Sequence, residues 1–218
     1  MRCVTEVYLL SIPEISDRRF QKLLNLVSEE RRHKILRLCN RQKQCQSLFA
    51  ALCLRAVLCE RLNVGNKELQ FKKTPDGKPY LSGGEISFSL SHTDSMAAVC
   101  VSERSVGVDI ERERPIEPKL AERFFSSCER EYVLRDTDGT NTRFFEVWTR
   151  KEAVAKYKGT GFTVPIASIY TGRDEKRLHT LRYNGYVLSV CCDGDVRLVQ
   201  SLKTKKILNE FLSAPSCR

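Results

Sequence analysis

Two acidic residues of one predicted strand could do chemistry together. In residues 106–111 apolar and polar side chains alternate, which is typical of a strand with one buried face. Asp109 and Glu111 therefore lie on the same face, with their Cα atoms roughly 6–7 Å apart. Gly107 shares that face without a side chain, and we expect it to leave room there for a ligand. Like charges placed so closely repel each other unless water or a cation lies between them.

A second group of charged residues lies on a helix predicted at residues 144–161. Apolar residues recur there at helical spacing, and Gly159 is suited to end the helix. Trp148, Glu152 and Lys156 are four residues apart, so they stack on one face over successive turns. An acid and an amine beside the only tryptophan of the chain indicate a half-buried charged site.

Together these residues form a set that can act on phosphate groups. Asp109, Glu111 and Glu152 offer the oxygen ligands that Mg²⁺ or Mn²⁺ prefers, and such an ion keeps positions open for phosphate and water. The ion would neutralise charge on a phosphoryl oxygen, and Lys156 could stabilise the same charge. Each group alone also has an ordinary explanation, as a solvent-facing strand edge and as a surface Glu–Lys pair.

The composition describes a globular protein with an acidic partner. The chain has 218 residues, of which 41% are hydrophobic and 29% charged, enough for one large domain or two small ones. Its formal net charge of +10 favours nucleic acid, an anionic cofactor or an acidic protein as the partner. The apolar run at residues 7–12 is too short for a signal-peptide core or a membrane span, so we expect a first strand there.

The ten cysteines do not have the spacing of a metal site or of a disulfide framework. No two of them are separated by two residues, as the ligands of zinc sites commonly are. Several lie in apolar segments, where free cysteine acts as a small hydrophobic residue. We therefore expect reduced thiols and a cytoplasmic location.

The remaining elements must hold the charged groups in place. Helices are predicted at residues 16–27, 28–37, 41–62 and 115–125, and strands at 86–91, 96–101, 177–183, 186–192 and 196–202. The dipeptides Asn184-Gly185 and Asp193-Gly194 are typical of hairpin turns, so the last three strands should pair in sequence order.

Basic residues are concentrated before and at the start of the third predicted helix, at positions 31, 32, 34, 37, 41 and 43. This stretch is either a solvated face or an anion-binding surface, and the residue types do not separate the two. Lys78 projects from the turn-rich loop 74–80, and His92 follows the strand 86–91. A lone histidine of this kind is more often structural than catalytic.

Five motifs resemble those of a known family. They are GKPY (77–80), FSLSH (88–92), GVDIE (107–111), RFFSSCE (123–129) and WTRKEAVAKYKGTGF (148–162). Over about residues 28–162 the chain resembles the Sfp-type 4′-phosphopantetheinyl transferases. The resemblance is specific because the five motifs agree in order and separation.

The resemblance implies an α+β fold, the 4′-phosphopantetheinyl transferase fold, which is a pseudo-dimer of two similar α/β halves. The polar residues 102–105 would divide a nucleotide-binding half, 1–104, from a half with the acids and the central helix, 105–218. The implied reaction moves the phosphopantetheine arm of coenzyme A to a serine of an apo acyl or peptidyl carrier protein. It uses Mg²⁺ or Mn²⁺ and releases adenosine 3′,5′-bisphosphate. We expect a monomer that meets an acidic carrier protein, with no nucleic-acid or membrane partner.

The matching motifs also imply roles for single residues. Asp109, Glu111 and Glu152 would hold the metal ion, and Lys156 would contact the phosphates. The coenzyme contacts would be Arg31, Lys34 and His92 near the 3′-phosphate, Lys78 along the adenine, and Ser47 and Ser91 at the nucleotide end. Glu129 matches a family acid near the metal, and it, Glu152 or a water molecule would take the serine proton.

Three positions modify this assignment. Glu129 also completes a capping box with Ser126, which gives its carboxylate a structural use. Gln46 stands where the family usually has a basic residue, so one expected nucleotide contact is absent. Phe162 replaces a commoner leucine, a change that we expect to be harmless.

Two other functions would use parts of the same residue set. A Mg²⁺-dependent nuclease also needs clustered carboxylates, a lysine and a basic surface, but the chain has no recognisable nucleic-acid module and few aromatic residues suited to stacking. A binder of carrier proteins or nucleotides without turnover would not need the complete set of acids and Lys156. The transferase is therefore the leading hypothesis.

Overall fold

The computed structural model describes residues 3–117, 119–135, 139–160, 164–199 and 201–214, with the backbone alone for 172–174. The strands are β1 (Val4–Ser11), β2 (Phe71–Lys73), β3 (Pro79–Leu81), β4 (Ser87–Thr93), β5 (Met96–Ser102), β6 (Val106–Arg112), β7 (Leu178–Tyr183), β8 (Tyr186–Cys192) and β9 (Asp195–Val199). The helices are α1 (Asp17–Leu24), α2 (Glu29–Leu36), α3 (Arg41–Leu62), α4 (Lys119–Phe124), α5 (Ser127–Leu134), α6 (Thr140–Lys158) and α7 (Ser201–Ser213).

The fold consists of two units in which the elements follow the same order. In the first unit β1, α3, β4 and β5 succeed one another, and the strands form antiparallel pairs in the order β4-β5-β1. In the second unit β6, α6, β7 and β8 succeed one another, and the order is β7-β8-β6, again antiparallel. The protein therefore has the predicted α+β fold with two similar halves.

Alternating apolar residues join the two sheets face to face. Val106, Val108 and Ile110 of β6 are fully buried against one face of the first sheet, to which Val7 and Ala98 belong. Helix α3 packs on the other face of the first sheet, and α6 packs on the other face of the second. Burial of this apolar surface is the main force that holds the halves together.

The predicted hairpin at Asp193-Gly194 is wrong. Strand β9 does not pair with β8 but runs parallel to β1 in the first sheet, where Val4 lies opposite Asp195. The reason is that β6 and β7 occupy both edges of β8. Strand β1 pairs with β5 on one edge, and its other edge is open to β9. Helix α7 then packs on α3. The last strand and helix thus pack with the first half, although the sequence assigned all of 105–218 to the second.

Other local signals predicted their elements well. Ser16 and Ser28 each accept a hydrogen bond from the backbone three residues on and so cap α1 and α2. Helix α3 has the predicted bounds. Asn184 and Gly185 both have positive φ and form the tight turn between β7 and β8, which confirms that hairpin.

The central helix differs slightly from its prediction. It begins at Thr140 rather than at residue 144, and it ends at Lys158 because Gly159 adopts a left-handed conformation with φ of 74°. The predicted end at Gly161 and the substitution at Phe162 lie outside the described residues. The last strand was predicted to extend to residue 202, but β9 ends at Val199.

Gly107 is a point of close contact rather than an open space for a ligand, so that expectation is wrong. A Cβ added there would lie 2.0 Å from the carbonyl oxygen of Ala153 and 2.4 Å from the backbone nitrogen of Tyr157. Both atoms belong to the α6 backbone, which cannot move aside as a flexible side chain can. The glycine therefore allows α6 to lie directly on β6.

Two further features concern the cysteines and the helices of the described part of the chain. Its cysteines are all free thiols; Cys217 lies outside that part. None of the helices described is both long enough and apolar enough to cross a bilayer.

Substituting Gly107 with alanine should lower the free energy of unfolding by about 1–3 kcal/mol, because the new methyl group overpacks the helix backbone. Urea-induced unfolding measures this change. Gly65→Ala is the control, since a Cβ at Gly65 meets only the end of the Glu68 side chain, at 3.1 Å. Equal effects of the two substitutions would contradict the close contact at Gly107.

Candidate active site

The carboxylate of Asp109 lies between the two halves, and only 5% of the residue is exposed. Its Oδ1 accepts a hydrogen bond from Ser91 Oγ of β4 at 2.7 Å and pairs with Lys156 Nζ of α6 at 2.7 Å. Its Oδ2 is buried and has no hydrogen-bond partner among the described residues. One oxygen is thus held by both halves, and the other is available to a ligand.

Glu111 and Glu152 complete an acidic group around Asp109. Burial, followed by the charge of Asp109, raises the pKa of Glu111 above its ordinary value. Burial and the charge of Asp109 likewise raise the pKa of Glu152, and Glu111 adds to the increase. The strand acids and the helix acid therefore lie close enough for their charges to repel one another, and their role as metal ligands stays a prediction.

The chemistry of this group fits a hard divalent cation. Three carboxylates supply only oxygen ligands, and the buried Oδ2 of Asp109 faces no competing partner in the described chain. Within the described residues, however, no three acidic, histidine or cysteine side chains already stand in the arrangement of a metal site. The side chains would therefore have to adjust as an ion enters.

Cations are grouped beside the acids, around His92. Burial, together with the charges of Arg31, Lys156 and Lys34, lowers the pKa of His92 to about 4. Its Nδ1 is buried without a hydrogen-bond partner in the part of the chain described. A neutral, half-buried histidine with three cations around it is suited to bind an anion, which would compensate their repulsion.

Arg31 is held in this cationic group by helix α3. Its Nη2 donates to the backbone oxygen of Ser47 at 3.2 Å and to Ser47 Oγ at 3.1 Å. Burial lowers the pKa of Arg31, and its Nε has no partner among the described residues. Ser47 thus orients the arginine, and its predicted contact with the nucleotide stays a prediction.

A cavity of about 120 Å³ adjoins Arg31 and Lys34. Its apolar lining includes Leu54, Phe71 and Phe88, and its other lining residues include Lys72, Lys73, Gly77 and Pro79. An apolar pocket with cations at its rim suits a flat ring that carries an anionic group.

Comparison with known proteins indicates the family of the chain. The sequence model of the 4′-phosphopantetheinyl transferase superfamily matches residues 105–202, and a 4′-phosphopantetheinyl transferase N-terminal model matches residues 14–104. The 4′-phosphopantetheinyl transferase gsp of Aneurinibacillus migulanus is 33% identical over 183 residues, which cover 82% of this chain and 76% of the relative. The transferase Sfp of Bacillus subtilis (strain 168) is 26% identical over 156 residues, 71% and 70% of the two chains.

The chain belongs to the 4′-phosphopantetheinyl transferase superfamily. It is an enzyme of the Sfp type that transfers phosphopantetheine, which confirms the family that its motifs indicated.

Three polar residues on β4 of the transferase face strand β6. Ser91 and Thr93 donate to the two acids of β6, Thr93 at 3.1 Å, and Ser89 Oγ accepts from the backbone nitrogen of Val108 at 3.0 Å. Sequence reasoning predicted Ser91 at the nucleotide end and overlooked the other two. The alternation along the strand shows that they share a face, but it does not show which strand that face meets.

Lys78, which was predicted to lie along the adenine, contacts the second half of the transferase with its ammonium group. Its Nζ donates to the carbonyl oxygen of Val106 at 3.3 Å and to that of Tyr157 at 3.2 Å. Burial lowers the pKa of Lys78. The ammonium group is therefore turned toward the second half, where backbone oxygens replace its water.

The described contacts of Glu129 join it to residues other than the acids of the site. Its Oε2 accepts from the backbone nitrogen of Ser126 at 2.8 Å and pairs with Lys151 at 2.9 Å, and its Oε1 accepts from Thr171 at 3.4 Å. The capping box is thus confirmed. Because that box fixes the side chain at the start of α5, the described contacts do not bring Glu129 to Asp109, and its catalytic role stays a prediction. The fully buried partner, Lys151, was overlooked.

Gln46 and Trp148 both have structural partners in the transferase. Gln46 Nε2 donates to the carbonyl oxygen of Asp94 at 2.6 Å, in the turn between β4 and β5. Trp148 stacks on Phe144 with ring centroids 6.1 Å apart and meets the edge of Phe124 at 5.4 Å. The tryptophan therefore anchors the face of α6 that also carries Glu152.

Glu152→Gln should raise the thermal unfolding midpoint of the ligand-free transferase at neutral pH in a chelator. The raised pKa of Glu152 means that its ionised form is disfavoured in the folded state. The stability that the glutamate contributes is present below its ordinary pKa of 4.5 and is lost as pH rises through the folded-state pKa.

Scanning calorimetry at several pH values checks the sign. The gain from Glu152→Gln should shrink as the pH falls toward 4.5, where the wild-type carboxyl is itself protonated. Glu122→Gln, at an exposed position of α4, is the matched control and should change little. A lower midpoint for Glu152→Gln at neutral pH would show that the carboxylates do not repel one another.

Proposed function

We propose that this transferase takes 4′-phosphopantetheine from coenzyme A and attaches it to a serine of an apo acyl or peptidyl carrier protein. Adenosine 3′,5′-bisphosphate is the other product. The observation that supports the proposal most directly is the juxtaposition of two opposite groups, the acids around Asp109 and the cations around His92. Lys156 pairs with Asp109, and its charge also helps to lower the pKa of His92. A donor that carries a bound cation at its pyrophosphate and a free phosphate at its nucleotide end matches this pattern.

The cations and the cavity suit the nucleotide end of coenzyme A. Arg31, Lys34 and His92 would bind the 3′-phosphate, and the adjoining cavity would take the adenine ring. The buried, unpartnered Nε of Arg31 and Nδ1 of His92 support this assignment, since both can donate to phosphate oxygens. Gln46 would not contribute, because its amide is bound to the β4–β5 turn.

Asp109, Glu111 and Glu152 would hold Mg²⁺ or Mn²⁺ at the pyrophosphate end. A divalent ion bound there would neutralise charge on the transferred phosphoryl group and orient it. The raised pKa values of Glu111 and Glu152 and the unpaired Oδ2 of Asp109 support this role.

Lys156 would stabilise negative charge on the phosphates from the side of α6. Its Nζ donates to Val108 O at 3.0 Å and to Asp109 Oδ1 at 2.7 Å, so its position is fixed before any ligand binds. A charge that is already oriented needs little reorganisation as the reaction proceeds.

Glu152 is the group that we propose as acceptor of the serine proton, directly or through water. Its carboxylate lies close enough to Asp109 and Lys156 for their charges to act on it, so it is beside the phosphates that these residues would bind. Glu129 is less suited, because both of its oxygens already have partners.

The proposed carrier protein is acidic and meets a monomer in the cytoplasm. The net charge of +10 would steer an acidic partner toward the enzyme. Both halves of the site lie in one chain, so a second copy is not needed to complete it.

Incubating the protein with coenzyme A, Mg²⁺ and an apo carrier protein, then weighing the carrier, tests the proposal. The wild type and Glu122→Gln should add one phosphopantetheine, whereas Glu152→Gln should keep its fold and lose about a hundredfold or more in rate. Full activity of Glu152→Gln would remove that residue from the site. Cleavage of RNA or DNA without carrier modification would favour a nuclease, and binding without either product would favour a non-catalytic binder.

Adding adenosine 3′,5′-bisphosphate should raise the pKa of His92 from about 4, because a bound phosphate favours the imidazolium. The affinity that this contributes is fully present below the pKa of the free state and is lost as pH rises through that of the bound state. Histidine-selective NMR measures the pKa directly. His92→Asn should remove this part of the pH dependence of binding, and an unmoved His92 resonance would place the phosphate elsewhere.

A further inference from the structure

Two lysines from different elements bind carbonyl oxygens of strand β6. Lys156 of α6 donates to Val108 O at 3.0 Å, and Lys78 of the loop between β2 and β3 donates to Val106 O at 3.3 Å. These carbonyls lie two residues apart on the strand that carries Asp109. The two lysines thus hold one strand from two directions.

Lys78 also contacts the end of helix α6. Its Nζ donates to Tyr157 O at 3.2 Å, and this carbonyl belongs to the last turn, where no further helical amide can reach it. A cation at the C-terminal end of a helix is favourable as well. The aliphatic stem packs on the helix end, because a Cβ added at Gly159 would lie 3.2 Å from Lys78 Cδ.

We propose that Lys78 is a positioning residue that fixes the last turn of α6, and with it Lys156, against strand β6. It acts on the reaction through Lys156 rather than by contact with coenzyme A. The inference rests on the proposed function, in which Lys156 stabilises charge on the phosphates.

The loop that carries Lys78 also lies beside the cavity. Gly77 and Pro79, its two neighbours in the chain, line the cavity beside Arg31 and Lys34. One short loop therefore touches the proposed nucleotide pocket on one side and the catalytic helix on the other. Through it, the pocket and the phosphate-binding lysine keep a fixed distance from each other.

Lys78→Met tests the proposal, because it removes the ammonium and keeps most of the stem that packs on Gly159. We expect kcat for carrier modification to fall by about tenfold or more, since small misplacements of catalytic groups are costly. The KM for coenzyme A should stay within about threefold of the wild type. Lys78→Gln keeps N–H donors without the charge, so its kcat should lie between those of the wild type and Lys78→Met.

Lys158→Met is the matched control. It removes a cation from the same last turn of α6, but from an exposed position, and should leave both kinetic constants unchanged. The effect of Lys78 on the end of α6 should also be measurable without substrate. Amide hydrogen exchange at residues 155–160 should be faster in Lys78→Met but not in Lys158→Met.

The proposal is overturned if Lys78→Met raises the KM for coenzyme A and leaves kcat unchanged, because Lys78 would then be a ligand contact. It is equally overturned if exchange at the end of α6 is unaffected. Should the wild type modify no carrier protein, the proposed function fails. Hydrogen exchange in the ligand-free protein then decides by itself whether Lys78 fixes the last turn of α6. If Lys78→Met does not fold, Lys78→Gln provides the same two measurements.

Discussion

The close approach of helix α6 to strand β6 is the contact on which the whole site depends. The acids Asp109 and Glu111 belong to the strand, whereas Glu152 and Lys156 belong to the helix, and the two elements are far apart in the chain. Gly107 lets the backbones meet, since any side chain there would collide with the helix. Only at that distance can Lys156 reach both a strand carbonyl and the carboxylate of Asp109.

The charged side chains of the site are arranged unfavourably in the ligand-free protein. Burial and the charge of Asp109 raise the pKa values of Glu111 and Glu152, and burial and the nearby cations lower the pKa of His92. Lys156 pairs with Asp109 and its charge also acts on His92, so it links the two groups electrostatically. A ligand that brings positive charge to the first group and negative charge to the second relieves both sets of repulsion at once. Such an arrangement trades stability in the free protein for binding energy.

Patterns along the chain predicted the groups, but not every neighbour of each group. The alternation of side chains on β6 and the four-residue spacing on α6 indicated the acids and Lys156, because strand and helix periods determine which side chains share a face. The same local rules could not foresee that Lys78 turns toward α6, or that Ser91 meets Asp109, since both contacts join elements whose packing is a tertiary property.

The errors have a common cause in topology. Gly107 was interpreted from one strand alone, and the helix that fills the space above it lies far along the sequence. Asp193-Gly194 has the composition of a hairpin turn, but pairing depends on which strand edges are open, and β8 has none. Turn chemistry describes two residues, whereas sheet order depends on all strands together.

The return of β9 and α7 makes the first half depend on elements that follow the second half in the chain. Strand β9 supplies the edge of the first sheet beside β1, and α7 packs on α3. The chain passes between the halves at residues 102–105 and again after Cys192, and the pairing of Val106 with Cys192 puts both passages at the same end of the second sheet. A fragment that stopped after β8 would therefore leave one edge of β1 and part of α3 uncovered, so the first half is not an independent folding unit.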